Sequence, residues 1–297
     1  MELTLDFGDI TTPATLDGPD GPALGGLVVL HGAQAGQRSY FLYEHLAQVL
    51  PPQGFAVLRF ERRPNPDGHD IPFERQAADA AVALRHLRSV VGPVPVGVWG
   101  VSQGGWAAPV TAAAYPDLVD FCIACSSAGV TPAKQMRYAT ERGLRLCGFG
   151  DADVAELLRA RAAAEEFLRG NGDRDEAQRI IDSVSDRPWF QHAFLPPQLP
   201  PEPGVWADMD FDPVAVFARM ACPVLLVYGE TDASIPIDES IAAWRGAVPE
   251  AEVVRAPGCD HVLSDGDREE VGAVSPDYTR ALLDFCFRQA GMGTPKK

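Results

Sequence analysis

The chain has 297 residues, a formal net charge of −16, 46% hydrophobic residues and 22% charged ones. That length supports one large core or a core with a smaller second unit. The composition is that of a globular protein, and the acidic balance argues against nucleic acid or an anionic membrane surface as a partner.

No run approaches the roughly 18 uninterrupted apolar residues of a membrane helix. Met1-Glu2-Leu3-Thr4-Leu5-Asp6-Phe7 alternates like a strand and lacks the basic start and long apolar stretch of a secretory signal. The six cysteines are scattered. Cys122 and Cys125 make a C-x-x-C inside an apolar run and read as buried reduced thiols, not as a metal pair. A cytoplasmic location is expected.

After the first strand, residues 24–30 form a buried-strand run and 40–50 a short amphipathic helix broken by Pro51-Pro52. A second strand covers 55–60. A helix covers 73–91, with Ala77, Ala80, Ala81, Leu84 and Leu87 at helical spacing. Strands at 94–99 and 119–125 enclose a helix at 106–115. This alternation implies an α/β fold with a doubly wound, mostly parallel sheet and helices on both faces.

From Pro132 to about Pro203 no strong strand signal appears. Asp153 followed by Glu156 resembles a capping box opening a helix that runs to Arg169. Residues 176–184 are helical, and a segment rich in proline and aromatics, including Trp189 and Phe190, follows. The expected organisation is a core of 1–131 and 204–297 with residues 132–203 inserted as a helical cap. Beyond it come a strand at 222–228, a helix at 237–247, a short strand at 252–256 and a closing helix at 276–289.

The chemistry centres on Gly100-Val101-Ser102-Gln103-Gly104, a G-x-S-x-G between a strand and a helix. A serine at the tip of so sharp a turn presents its hydroxyl beside the first N–H groups of a helix, and small neighbours leave room for it. Serine is a poor nucleophile at neutral pH, so it needs a histidine base and a carboxylate to orient that base. In a doubly wound sheet these partners belong on loops after later strands. Asp232, in Gly229-Glu230-Thr231-Asp232, is the candidate acid, with Glu230 and Asp238 as weaker rivals. His261, in Pro257-Gly258-Cys259-Asp260-His261, is the candidate base. His31-Gly32 reads as structural, shaping a loop whose Ala33 N–H joins that of Gln103 as the expected oxyanion donors. The loop Arg59-Phe60-Glu61-Arg62-Arg63 is either an anion-binding element at the site mouth or a solvated charge cluster.

With these pieces assembled, the chain resembles the α/β-hydrolase superfamily over nearly its whole length. It is similar in particular to bacterial esterase-like hydrolases whose oxyanion loop reads H-G-S-G-P-x-D-R. Here His31, Gly32 and Arg38 match that loop, while Ala33, Gln34, Ala35 and Gln37 depart from it. The resemblance implies Ser102 as nucleophile, His261 as base and Asp232 as acid, but it leaves the substrate open. The Trp- and Pro-rich insertion points to a small, largely apolar acyl or aromatic substrate, and acyl transfer through such a triad needs no metal or organic cofactor. Arg38, Trp189 and Phe190 are candidate substrate contacts, and the protein is expected to act as a monomer or homodimer. An aspartate nucleophile would belong to dehalogenase or epoxide-hydrolase chemistry, so Ser102 disfavours both. A thioesterase, acyltransferase, peptidase or non-catalytic binding protein on the same fold stays open.

Overall fold

A computed structural model describes residues 1–33, 35–65, 69–266 and 268–293. The chain opens with β1 (Glu2–Asp6) and β2 (Thr11–Asp17), then enters the sheet at β3 (Gly25–Leu30). It continues through α1 (Phe41–Val49), β4 (Phe55–Phe60), α2 (Phe73–Val91), β5 (Val96–Val101), α3 (Gly104–Ala114) and β6 (Phe121–Cys125). Helices α4 (Pro132–Leu146), α5 (Asp151–Leu168), α6 (Arg174–Asp182) and α7 (Pro213–Phe217) precede β7 (Val224–Gly229). Then come α8 (Ile237–Ala247), β8 (Glu252–Ala256) and α9 (Pro276–Gln289).

The strands form one sheet in the order β1-β2-β4-β3-β5-β6-β7-β8. Neighbours pair in parallel from β4 to β8, and β2 runs antiparallel to both β1 and β4. Central strands β3, β5, β6 and β7 are buried at every position. Continuous apolar runs are what a parallel sheet covered on both faces requires. Val28, Val98 and Leu226 pack on one face with α2, α3, α7 and α8. Val29, Trp99 and Val227 pack on the other with α1 and α9.

Cys122 joins the first of these layers and Cys125 the second. Successive strand residues point to opposite faces, so this C-x-x-C separates its two thiols across the sheet. Burial pushes the Cys125 thiol well above its ordinary pKa.

Several elements differ from the sequence reading. Strand β2, unanticipated, contains Pro13, which disguises it; β1 and β4 hold it from both sides. Strand β5 ends two residues later than expected because Gly97 and Gly100 belong to the ladder, pairing with Phe121 and Ala124. A Cβ on Gly97 would lie 2.3 Å from the Phe121 ring, so glycine here reports close packing and not a break. Helix α4 carries Thr131 as its side-chain cap and Pro132 in its first turn, a start signal followed by only a narrow buried face of Ala133, Thr140 and Leu144. Helix α5 starts three residues earlier than that capping box would place it: Gly150 is the N-cap, with no side chain to cap the helix, and the Asp153 carboxylate accepts its N–H at 3.2 Å. Glu156 instead pairs with Arg187 at 2.8 Å.

Helices α4 to α6 build two small apolar clusters distinct from the sheet-flanking cores, one around Leu157 and Trp189 and one around Phe167 and Ile181. Helix α7 belongs to the core instead, where Phe217 stacks on Trp244 of α8 with centroids 3.4 Å apart. No helix among the described residues is long and apolar enough to cross a membrane.

On the opposite face, Trp99 Nε1–H donates to the Tyr278 hydroxyl at 2.9 Å, joining β5 to α9 with both side chains fully buried. Replacing Tyr278 with Phe leaves that N–H unpaired in the core. The expected cost is about 1–3 kcal/mol, read as a Tm several degrees below wild type.

Candidate active site

Ser102 follows β5 directly and holds a left-handed backbone, φ +56°. For a non-glycine residue such a conformation costs about 1–3 kcal/mol and persists only where its surroundings enforce it. They do. The Ser102 N–H donates to the Cys125 carbonyl at 3.0 Å, and its own carbonyl accepts from Gly105 N–H at 2.8 Å. A Cβ on Gly100 would lie 2.0 Å from the Gly104 carbonyl oxygen, and one on Gly104 would lie 2.6 Å from that of Leu30. Strand, turn and helix therefore meet backbone to backbone, and the glycines of the motif are steric necessities.

Two other loops reach the same end of the sheet. Asp232 is buried just after β7, and one of its oxygens accepts from Ser234 N–H at 2.7 Å. Its other oxygen meets His261 Nδ1 at 2.8 Å. The loops are stitched together by Thr231, whose N–H and hydroxyl both donate to the Cys259 carbonyl at 2.9 and 2.7 Å. Gly229 is required there because a Cβ would lie 1.9 Å from the Asp260 carbonyl oxygen. The Ser126 hydroxyl donates to the His261 carbonyl at 2.7 Å, one residue beyond the carbonyl that holds Ser102. The base-bearing loop is thus anchored beside the serine turn. No hydrogen bond joins the Ser102 hydroxyl to His261 among the described residues, a contact that in many hydrolases tightens only around substrate.

Burial alone would lower the His261 pKa. The charge of Asp232, the hydrogen bond to it and the nearby Asp260 more than offset that, so the net shift is upward. The rivals Glu230 and Asp238 are both exposed, and Asp238 pairs with Arg255.

His31 is buried and donates from Nε2 to the Phe60 carbonyl at 2.7 Å. Burial lowers its pKa to about 4 despite that hydrogen bond, so it stays neutral and structural. The Tyr43 hydroxyl accepts from Gly32 N–H at 3.0 Å and donates to the Ala35 carbonyl at 2.9 Å. Gly32 N–H is thereby consumed. The N–H groups of Ala33 and Gln103 have no acceptor among the described residues. Gln34, within the same loop, lies outside the described residues.

The candidate substrate contacts are not brought to this cluster. Trp189 is fully buried inside the small Leu157 cluster, and Phe190 packs partly buried against both clusters of the insertion. Arg38 turns toward the sheet edge, where it meets Glu2, Thr15 and Glu61. The basic segment does not start as a loop, since Arg59 lies within β4, and each of its three arginines already faces protein acceptors. Arg59 binds Asp17 and the Arg38 carbonyl, Arg63 forks onto Asp79 and also reaches Asp9, and Arg62 turns inward to backbone carbonyls.

A family model described as "Alpha/beta hydrolase family" matches residues 27–274. The chain belongs to the alpha/beta hydrolase family. No curated protein sequence matches it. Solved structures with the same fold include Est1E from Butyrivibrio proteoclasticus, 17% identical, covering 98% of this chain and 99% of that one, with a TM-score of 0.62. They also include a proline iminopeptidase from Mycobacterium smegmatis, 17% identical, covering 98% and 99%, with a TM-score of 0.64. A thermophilic esterase from Thermogutta terrifontis is 20% identical over 98% and 99%, with a TM-score of 0.57. At these identities the likeness is one of fold.

In this alpha/beta hydrolase the serine turn has a direct steric test. Gly100→Ala forces strand and helix apart and is expected to abolish soluble folding or to cost more than about 4 kcal/mol, whereas Gly143→Ala, with open space in α4, should be neutral or stabilise by up to about 1 kcal/mol; thermal melts of the two variants compare them. For the histidine, Asp232→Asn removes the charge that holds His261 up. NMR titration should then find the His261 pKa below its wild-type value; an unchanged or raised value would contradict the electrostatics.

Proposed function

We propose that the protein is a serine hydrolase cleaving a carboxylic ester, or a related acyl bond, of a small, largely apolar substrate. The observation that carries this reading is the left-handed Ser102 turn lying beside the hydrogen-bonded His261–Asp232 pair. The order Ser, Asp, His along the chain, each on a loop after a parallel strand, supports it further.

In the proposed cycle Ser102 Oγ attacks the substrate carbonyl while His261 Nε2 takes its proton. Asp232 holds the imidazole by Nδ1–H and stabilises the imidazolium without becoming protonated. The tetrahedral oxyanion lies against the Ala33 and Gln103 N–H groups. His261 then returns the proton to the leaving oxygen, the acyl–oxygen bond breaks, and an acyl-Ser102 ester remains. Water, deprotonated by the same histidine, attacks that ester, and the acid and free serine are released.

An uncharged substrate fits the surroundings. The net charge is −16, and Arg59, Arg62 and Arg63 each already face protein acceptors. We further propose that residues 132–203 cap the site. Their start is tied to the acid loop by Gln135 Nε2–H, which donates to the Ser234 carbonyl at 2.7 Å. A cytoplasmic enzyme acting as monomer or homodimer is part of the same proposal.

A serine-directed phosphonate should label Ser102, and His261→Ala should abolish the labelling; modification elsewhere, or none in a preparation that turns over acyl esters, overturns the assignment. Ala33→Pro removes one oxyanion donor and should lower kcat about 10²–10³-fold. Neutral His261 must accept the proton, so ester turnover should fall as pH drops through its raised pKa. Asp232→Asn should move that acid limb to lower pH and reduce kcat by about 10⁴.

A further inference from the structure

Arg62 leaves the end of β4 and turns its guanidinium under the loop that follows β3. Nη1 donates to the Gly32 carbonyl at 3.0 Å and to Gln103 Oε1 at 2.8 Å. Nη2 donates to the Ala33 carbonyl at 2.5 Å. The Arg62 backbone N–H adds a fourth tie, to the Gly36 carbonyl at 2.8 Å. A Cβ on Gly36 would lie 3.3 Å from Arg62 Nε, so the loop lies closely against the side chain.

We propose that Arg62 is the positioning residue of the oxyanion site: its guanidinium sets the direction of the Ala33 donor and clasps the side chain of Gln103, the residue that carries the other. The inference rests on the reading of Ser102 as an acyl-accepting nucleophile. The geometry follows from peptide planarity. The Gly32 carbonyl and the Ala33 N–H share one trans peptide and point opposite ways. Pinning that carbonyl toward Arg62 aims the Ala33 N–H away from it. Pinning the Ala33 carbonyl as well fixes the backbone on the other side of the same Cα. The third bond holds the Gln103 side chain at Oε1 and so ties the loop to the residue whose backbone N–H is the other donor. A single rigid fork therefore couples β3's loop to the N-terminus of α3, and a charge-assisted bond to Gly32 polarises the peptide that carries the Ala33 N–H.

His31 and Tyr43 do not substitute for this. Their bonds engage the Phe60 carbonyl, the Gly32 N–H and the Ala35 carbonyl, and none reaches Gln103. Lysine at position 62 would keep the charge but lose the planar fork.

The test uses the full chain and a neutral p-nitrophenyl ester. Arg62→Ala should lower kcat by about 10–100-fold with KM within about twofold of wild type and a Tm within a few degrees, and millimolar guanidinium should restore part of the lost kcat. Arg62→Lys should lose about tenfold. Gln103→Met, which keeps its N–H and loses only the acceptor, should lose less, and the Arg62→Ala/Gln103→Met pair should be little worse than Arg62→Ala, because both act through one contact. Unchanged kcat, or a rise in KM alone, overturns the proposal. If Arg62→Ala does not fold, Arg62→Lys decides on the same criteria. Wild-type turnover and Ser102 labelling come first: if both are missing, the hydrolase reading fails and this inference with it, whereas an active wild type with indifferent Arg62 variants sinks this inference alone.

Discussion

The site depends on one constraint, the backbone contact among the ends of β3, β5 and the start of α3. Gly100 and Gly104 allow strand and helix to approach until no Cβ fits between them. That contact forces Ser102 into a left-handed turn, and the same contact places the Leu30–His31 backbone, with the loop that follows it, against the helix start. The Ser102 turn and the placement of the loop after β3 are therefore products of one steric event. The sheet supplies the energy that holds it, because four central strands are buried on both faces and their packing greatly exceeds the strain of one residue.

Around this contact the polar groups are distributed so that each loop is held by another. Thr231 ties the Asp232 loop to the His261 loop, Ser126 ties the His261 loop to the end of β6, and Arg62 ties the loop after β3 to the start of α3. Few of these bonds are local in sequence, and most run to backbone carbonyls. Such bonds hold the site to a geometry that no single loop adopts by itself, and preorganised donors cost no reorganisation when charge develops. The electrostatics follow the same division. His31 is kept neutral by burial, while Asp232 holds His261 up against burial.

Much of the fold was legible because parallel strands buried on both faces leave continuous apolar runs and amphipathic helices leave a 3.6-residue period. Strands β4 and β8 and helices α2, α8 and α9 fall where those patterns put them. The misses share a cause. Strand β2 does alternate, burying Thr12, Ala14 and Leu16, and helix α4 does bury one face through Ala133, Thr140 and Leu144, but threonine, Pro13 and small side chains keep both patterns from standing out as apolar runs. Trp189 and Phe190 read as substrate contacts because aromatics beside prolines suggest a lining, yet Trp189 is fully buried within the insertion and Phe190 packs partly buried against the insertion's clusters.

Sequence alone placed Ser102, Asp232 and His261, in that order, each just after a recognisable strand. It also determined the glycines, since a turn of that sharpness excludes side chains. Only the tertiary structure decided what the charges of the β4 loop do. Arg59, Arg62 and Arg63 are alike in sequence, yet one binds Asp17 at the end of β2, one clamps the loop after β3 and one forks onto Asp79 of α2. A guanidinium reaches far from its own backbone, so its partner is set by what the fold brings within reach and not by its neighbours in the chain.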